Sequence, residues 1–139
     1  MNIRSKSFLA TVTALTLSLS INVNAYASDP LKAAVDAEER ASERARDQFR
    51  NPYETLKFFG LQPNMTVVEL APSGGWYTEI IAPYVAQEGK FIAAHFNMER
   101  ENAPRYFESA MAAYLERIAD TERFGEIDII PFDPPAKSK

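Results

Sequence analysis

The chain has 139 residues, 46% of them hydrophobic and 24% charged, with a formal net charge of −4, a sequence pI of about 5.1 and no cysteine. That length allows one domain at most, and the composition is ordinary for a globular protein. The acidic balance argues against a nucleic-acid binder or a protein docked on anionic lipid, both of which present basic faces. The missing cysteine excludes disulfides, thiolate metal ligands and a cysteine nucleophile.

The first 27 residues read as a secretory signal peptide. Arg4 and Lys6 make a basic start, residues 8–21 are apolar or hydroxylated without a charge, and Ala25-Tyr26-Ala27 gives an A-x-A site ahead of Ser28. The apolar run is short for a membrane span, which needs roughly 20 residues. An uncleaved anchor is the alternative. Cleavage removes Arg4 and Lys6 and no acid, so the net charge moves from −4 to −6. The expected location is outside the cytoplasm, periplasmic or secreted, with no stable membrane span after cleavage.

In the mature chain, Asp29-Pro30 suits a helix start. Residues 28–50 predict an exposed N-terminal helix, rich in Ala, Glu and Arg, with Asp36 four residues before Arg40 and Glu43 three before Arg46. A second helix starts at Asn51-Pro52, with Asn51 as cap, Glu54 in a capping-box position and Leu56, Phe58, Phe59 and Leu61 as its apolar face. Gly60 fits its end, and residues 62–64 make a turn.

Residues 65–70 (MTVVEL) predict a buried strand. A small-residue loop, 71–75 (APSGG), leads into a helix over 76–85, where Pro83 predicts a kink or an early end. Residues 90–95 (KFIAAH) predict a second strand, and 104–119 a helix with Phe107, Met111, Tyr114, Leu115 and Ile118 in a core stripe. Residues 126–132 (EIDIIPF) predict a third strand, with Pro131 marking an edge or an end. This alternation predicts an α/β fold: a parallel sheet with right-handed crossovers and helices on both faces, amounting to half of a doubly wound, Rossmann-like sheet over residues 51–139.

The stretch most able to carry chemistry is 67–81, VVELAPSGGWYTEII. A strand that runs through a small loop into a helix lets backbone approach a ligand and presents free N–H groups to a carboxylate or phosphate. Glu69 suits a cationic ligand group, Ser73 supplies a hydroxyl and Trp76 an aromatic wall. An ordinary Gly-Gly turn remains the plainer reading. The stretch lacks the G-x-G-x-x-G dinucleotide fingerprint, and no Lys-Ser/Thr pair makes it a P-loop.

Residues 51–96 carry FFGL with Pro63 ahead of the first strand, and P-x-G-G-W-Y (Pro72 to Tyr77) after it. In this combination the chain resembles a family of exported, predicted class I S-adenosylmethionine-dependent methyltransferases, over its mature part from about Asn51 onward. The class pattern here is an acid followed by three alternating glycines. This sequence has Glu69 and Gly75, but Ala71 and Ser73 at the first two glycine positions.

The resemblance implies that the loop with Ala71, Ser73, Gly74 and Gly75 holds the amino-acid end of S-adenosyl-L-methionine, with Glu69 beside it. It also implies that His95, at the end of the second strand, stands where relatives use an acid for the ribose hydroxyls. Asn97 and Glu99 follow close behind, and Asp133 stands where many use an acid near the adenine. As a lone histidine, His95 has a structural reading too, and no metal site is expected around it. The implied function is methyl transfer to an unidentified acceptor. The class has seven strands and this sequence reaches about the third, so the acceptor-facing half is expected to be missing and no catalytic base is named. A non-catalytic binding or interaction module is the rival reading. The leader predicts that intact-mass measurement of exported protein finds a chain starting at Ser28; a cytoplasmic product retaining residues 1–27 is the contrary result.

Overall fold

The computed structural model describes residues 29–101 and 103–133. The signal peptide with its A-x-A site, and the Pro134-Pro135 tail, lie outside the described residues. The described chain is α/β. Helix α1 (Pro30–Asp36), two 3-10 turns (Glu38–Arg40 and Arg44–Arg46), α2 (Asp47–Arg50) and α3 (Pro52–Phe58) precede strand β1 (Thr66–Leu70). Helix α4 (Thr78–Val85), β2 (Lys90–Phe96), α5 (Tyr106–Arg117), α6 (Thr121–Phe124) and β3 (Ile127–Phe132) follow. The strands form one parallel sheet in the order β1-β2-β3. Residue 67 pairs with 91 and 91 with 127, in unbroken register.

Strand order explains which face is covered. Two successive right-handed crossovers that step the same way across a sheet put both their helices on the same side. Val67, Phe91 and Ala93 accordingly pack in one core with Ile80, Ile81, Val85, Tyr114 and Phe124. Along each strand the alternate residues point the other way. There Val68, Leu70 and Ile130 remain 48%, 62% and 44% exposed. The expectation of helices on both faces is therefore corrected: three strands in this order supply helices for one face only. Pro131 sits on β3, an edge strand of this sheet, where its missing N–H breaks no ladder bond to a further neighbour.

The single helix expected over 28–50 is broken, and it is not merely a solvated face. Asp29 does cap α1, its carboxylate accepting from the N–H of Leu31 at 3.0 Å and of Lys32 at 3.3 Å. Leu31 and Val35 of α1 are buried in the core shared with α4. The chain then turns so that Arg40 is fully buried, paired through two nitrogens with Asp47 at 3.0 and 3.2 Å and bonded to the Val35 carbonyl. Arg40 thus bonds Asp47 rather than Asp36, and Glu43 reaches Arg117 on α5 at 3.0 Å rather than Arg46. A charged segment becomes a strap across the core.

Two smaller expectations also shift. Asn51 occupies the cap position of α3 but has a positive φ of 44°, and its side chain makes no capping bond. Leu56 and Leu61 face inward, whereas Phe58 and Phe59 are 85% and 74% exposed. One helical stripe can meet the core, and the two phenylalanines lie off it. Gly89 allows the chain to enter β2 past the backbone of the turn that leads into β1, since a Cβ there would stand 2.3 Å from the Met65 carbonyl oxygen.

The two sheet faces predict opposite mutational costs. Phe91→Ala, on the covered face, should lose about 3–5 kcal/mol in urea unfolding. Val68→Thr, on the open face, should stay within about 1 kcal/mol of the parent. Equal losses would contradict the one-sided packing.

Candidate functional site

The carboxyl end of β1 opens into a cleft of about 490 Å³ lined by Glu69, Leu70, loop residues 71–74, Trp76, Tyr77 and, from the strap, Glu43, Arg46, Arg50 with Arg117. Clefts beyond the carboxyl ends of parallel strands are where open α/β sheets bind ligands, and this volume suits a small molecule.

The loop follows β1 directly. The Ala71 N–H still bonds Ala94 O of β2 at 2.8 Å, and Gly75 N–H closes a turn onto Pro72 O at 2.9 Å. Between them the backbone takes a positive φ at Ala71 (51°), Ser73 (53°) and Gly75 (82°). These are the three alternating positions singled out in the sequence. Two of them carry side chains in a conformation that glycine adopts freely and other residues adopt at a cost of roughly 1–2 kcal/mol. Strain of this kind persists only where surrounding structure enforces it.

His95 is one enforcer. It is fully buried; its Nδ1 accepts from the Phe96 N–H at 2.8 Å, which leaves the proton on Nε2, and that nitrogen donates to Ser73 O at 3.1 Å. His95 therefore holds the loop from behind and does not line the cleft. Gly75 is also behind it: a Cβ there would meet the Tyr114 ring and the Arg117 side chain at 3.1 Å. Gly74 is the glycine on the cleft side, with open space around any Cβ. Asp133 lies elsewhere, at the end of β3, accepting from Asn97 Nδ2 at 2.7 Å with Arg100 at 4.0 Å. Of the sequence candidates, the fold thus brings Glu69, Ala71, Ser73 and Gly74 to one cleft, sets His95 and Gly75 beneath it, and keeps Asp133 outside its lining.

Glu69 Oε2 accepts from the Thr78 hydroxyl at 2.6 Å, and that hydroxyl is 3.3 Å from the buried Tyr114 hydroxyl. Burial pushes the Glu69 carboxyl above its ordinary 4.5, with the Thr78 bond opposing part of the rise. Burial likewise pushes Tyr114 up to about 12. Because folded Glu69 holds its proton more tightly than the unfolded chain does, its contribution to stability falls as pH rises from the unfolded value through the folded one. A ligand cation beside Glu69 would oppose that loss.

Sequence reasoning passed over the strap's part in the site. Arg46 and Arg50 stand four residues apart, a like-charge spacing that weakens an isolated helix; that local disadvantage was the available signal. Among the described residues no group of three His, Cys, Asp or Glu could hold a metal ion, and no helix is long and apolar enough to cross a membrane. Comparisons with protein-family models, with curated proteins and with solved structures found no match to the chain.

The left-handed loop sets a stability test. Ala71→Gly and Ser73→Gly should each gain about 0.5–1 kcal/mol in chemical denaturation through relief of strain. Gly75→Ala should lose about 1–3 kcal/mol, because its φ and its contact with Tyr114 both oppose a side chain. A clear loss in Ala71→Gly would mean that the backbone there is not left-handed.

Proposed function

We propose that the chain is an S-adenosylmethionine-binding protein of the class I methyltransferase type, acting on an unidentified acceptor outside the cytoplasm. The observation that carries the reading is the backbone of loop 71–75, which takes positive φ at all three alternating positions although only one is glycine. The residues present fit the amino-acid end of such a cofactor. The cleft side of Gly74 is open to close approach, and the Glu69 carboxylate lines the same cleft without an ion-pair partner among the described residues. When bound, the cofactor supplies a methyl group on a sulfonium centre. In this reading Glu69 meets the ligand's ammonium, the 71–74 backbone bounds its chain, His95 keeps Ser73 in place, and Trp76 walls the cleft. Positioning is most of what such a site contributes to transfer. A non-catalytic interaction module is the second reading, favoured by the open apolar face at Val68, Leu70 and Ile130.

Calorimetry with S-adenosylhomocysteine separates the two. Weak but saturable binding is expected, and Gly74→Leu should weaken it at least tenfold, about 1.4 kcal/mol, with little change in melting temperature. Gly74 lies outside the positive-φ region and has room for a side chain, so the fold should tolerate the change. Absence of saturable binding by the parent, or unchanged affinity in Gly74→Leu, overturns the cofactor reading.

A further inference from the structure

We infer that Arg46 and Arg50 form an oxyanion subsite on the strap side of the cleft, one that takes the carboxylate or phosphate of a small ligand. Three guanidinium groups lie over the Trp76 ring: Arg40 at 5.7 Å from its centroid, Arg46 at 5.5 Å and Arg50 at 4.9 Å. Their commitments differ. Arg40 is bound to Asp47 and to the Val35 carbonyl. Arg117, the other cation on the cleft, is held by Glu43 at 3.0 Å and Glu79 at 2.5 Å. Among the described residues, Arg46 and Arg50 have no carboxylate within 4.0 Å. Two uncompensated cations are therefore held side by side at the rim of the strained loop.

The ring beneath them is itself fixed. Trp76 is buried and its indole N–H donates to the Glu43 carbonyl at 3.2 Å. A guanidinium plane resting on such a surface loses less freedom when it forms paired hydrogen bonds to an oxyanion, and stacking leaves its N–H edge available. Glu69 lines the same cleft and bears the opposite charge when ionised. A cleft with an unpaired cation pair and one carboxylate, Glu69, that is not tied to an arginine as Glu43 is to Arg117, suits a zwitterion, such as an α-amino-acid group. The inference rests on the cofactor reading only for the ligand's identity, in which case the anion is the carboxylate of the cofactor's amino-acid end. An anionic group on a different ligand is the other source of the same chemistry.

Trp76 is the only tryptophan in the chain, so intrinsic fluorescence reports from the proposed subsite. Titrations would use S-adenosylhomocysteine, methylthioadenosine (which lacks the amino-acid carboxylate) and inorganic phosphate. They would be run on the parent, on the Arg46→Gln/Arg50→Gln double variant and on Arg50→Gln alone. Both arginines are exposed and the Arg40–Asp47 pair is untouched, so the variants should melt within a few degrees of the parent; the single variant gives the answer should the double one fail to fold.

The expected result is S-adenosylhomocysteine affinity reduced at least tenfold in the double variant, with methylthioadenosine affinity changed less than twofold. Should S-adenosylhomocysteine not bind the parent while phosphate perturbs Trp76 in the parent and not in the variant, the subsite stands with another ligand and the cofactor reading fails. Unchanged S-adenosylhomocysteine affinity in the variants, an equal fall for both nucleosides, or no response of the parent to any of the three overturns the inference.

Discussion

Tyr114 is wedged between the pieces of the site, and the loop keeps its shape because of what touches that ring. Gly75 lies so near the ring that a Cβ there would stand 3.1 Å from it, the Thr78 hydroxyl is 3.3 Å from its oxygen, and His95 packs 4.9 Å from its centroid. Through those three neighbours one α5 side chain meets the loop, the start of α4 and the end of β2. A fully buried ring leaves the loop no room to relax into an ordinary turn. Left-handed backbone at Ala71 and Ser73 is then a consequence of packing, held from below by Tyr114 and by the His95 bond to Ser73.

The strap is the second support. Glu43 offers its carbonyl to Trp76 and its carboxylate to Arg117, so one residue ties the N-terminal segment both to the loop's far end and to α5. Glu79, nearly buried, takes Arg117 and Arg123 together. Buried ion pairs of this kind add little net stability over apolar packing, but removing one partner strands a charge. Their effect is to fix how the strap sits, which in turn sets where Arg46 and Arg50 project.

The strands, their parallel pairing and the crossover helices were legible because β-branched runs and helical stripes are local signals. The loop was legible as a place, since strand, small residues and helix stand in that order. Its conformation was obscured by Ala71 and Ser73, residues whose own preference opposes the backbone they adopt. The strap was misread because its partners are remote: Glu43 meets Arg117, 74 residues away, and Trp76 lies 33 residues beyond Glu43. Spacing rules within one helix pointed to Asp36–Arg40 and Glu43–Arg46 pairs that tertiary contacts replace. The short α6 went unseen although Asp120 caps it, accepting from the Arg123 N–H at 3.1 Å; four residues are too few for periodicity to register.

Net charge and site charge point in opposite directions here, and distance decides between them. The chain is acidic as a whole, which at long range disfavours an approaching anion. At physiological ionic strength that field is screened beyond about 8 Å, so a ligand already in the cleft responds to the groups lining it. There Arg117 is neutralised by acids, and burial reduces the tendency of Glu69 to ionise. Arg46 and Arg50 are left to set the local sign. They belong to the strap, whereas the loop belongs to the sheet. A ligand engaging both binds only the docked arrangement, so its occupancy stabilises the attachment of strap to core in proportion to the logarithm of its concentration over its dissociation constant. The segment that looks most like a solvated surface in the sequence is thereby coupled to whatever the cleft holds.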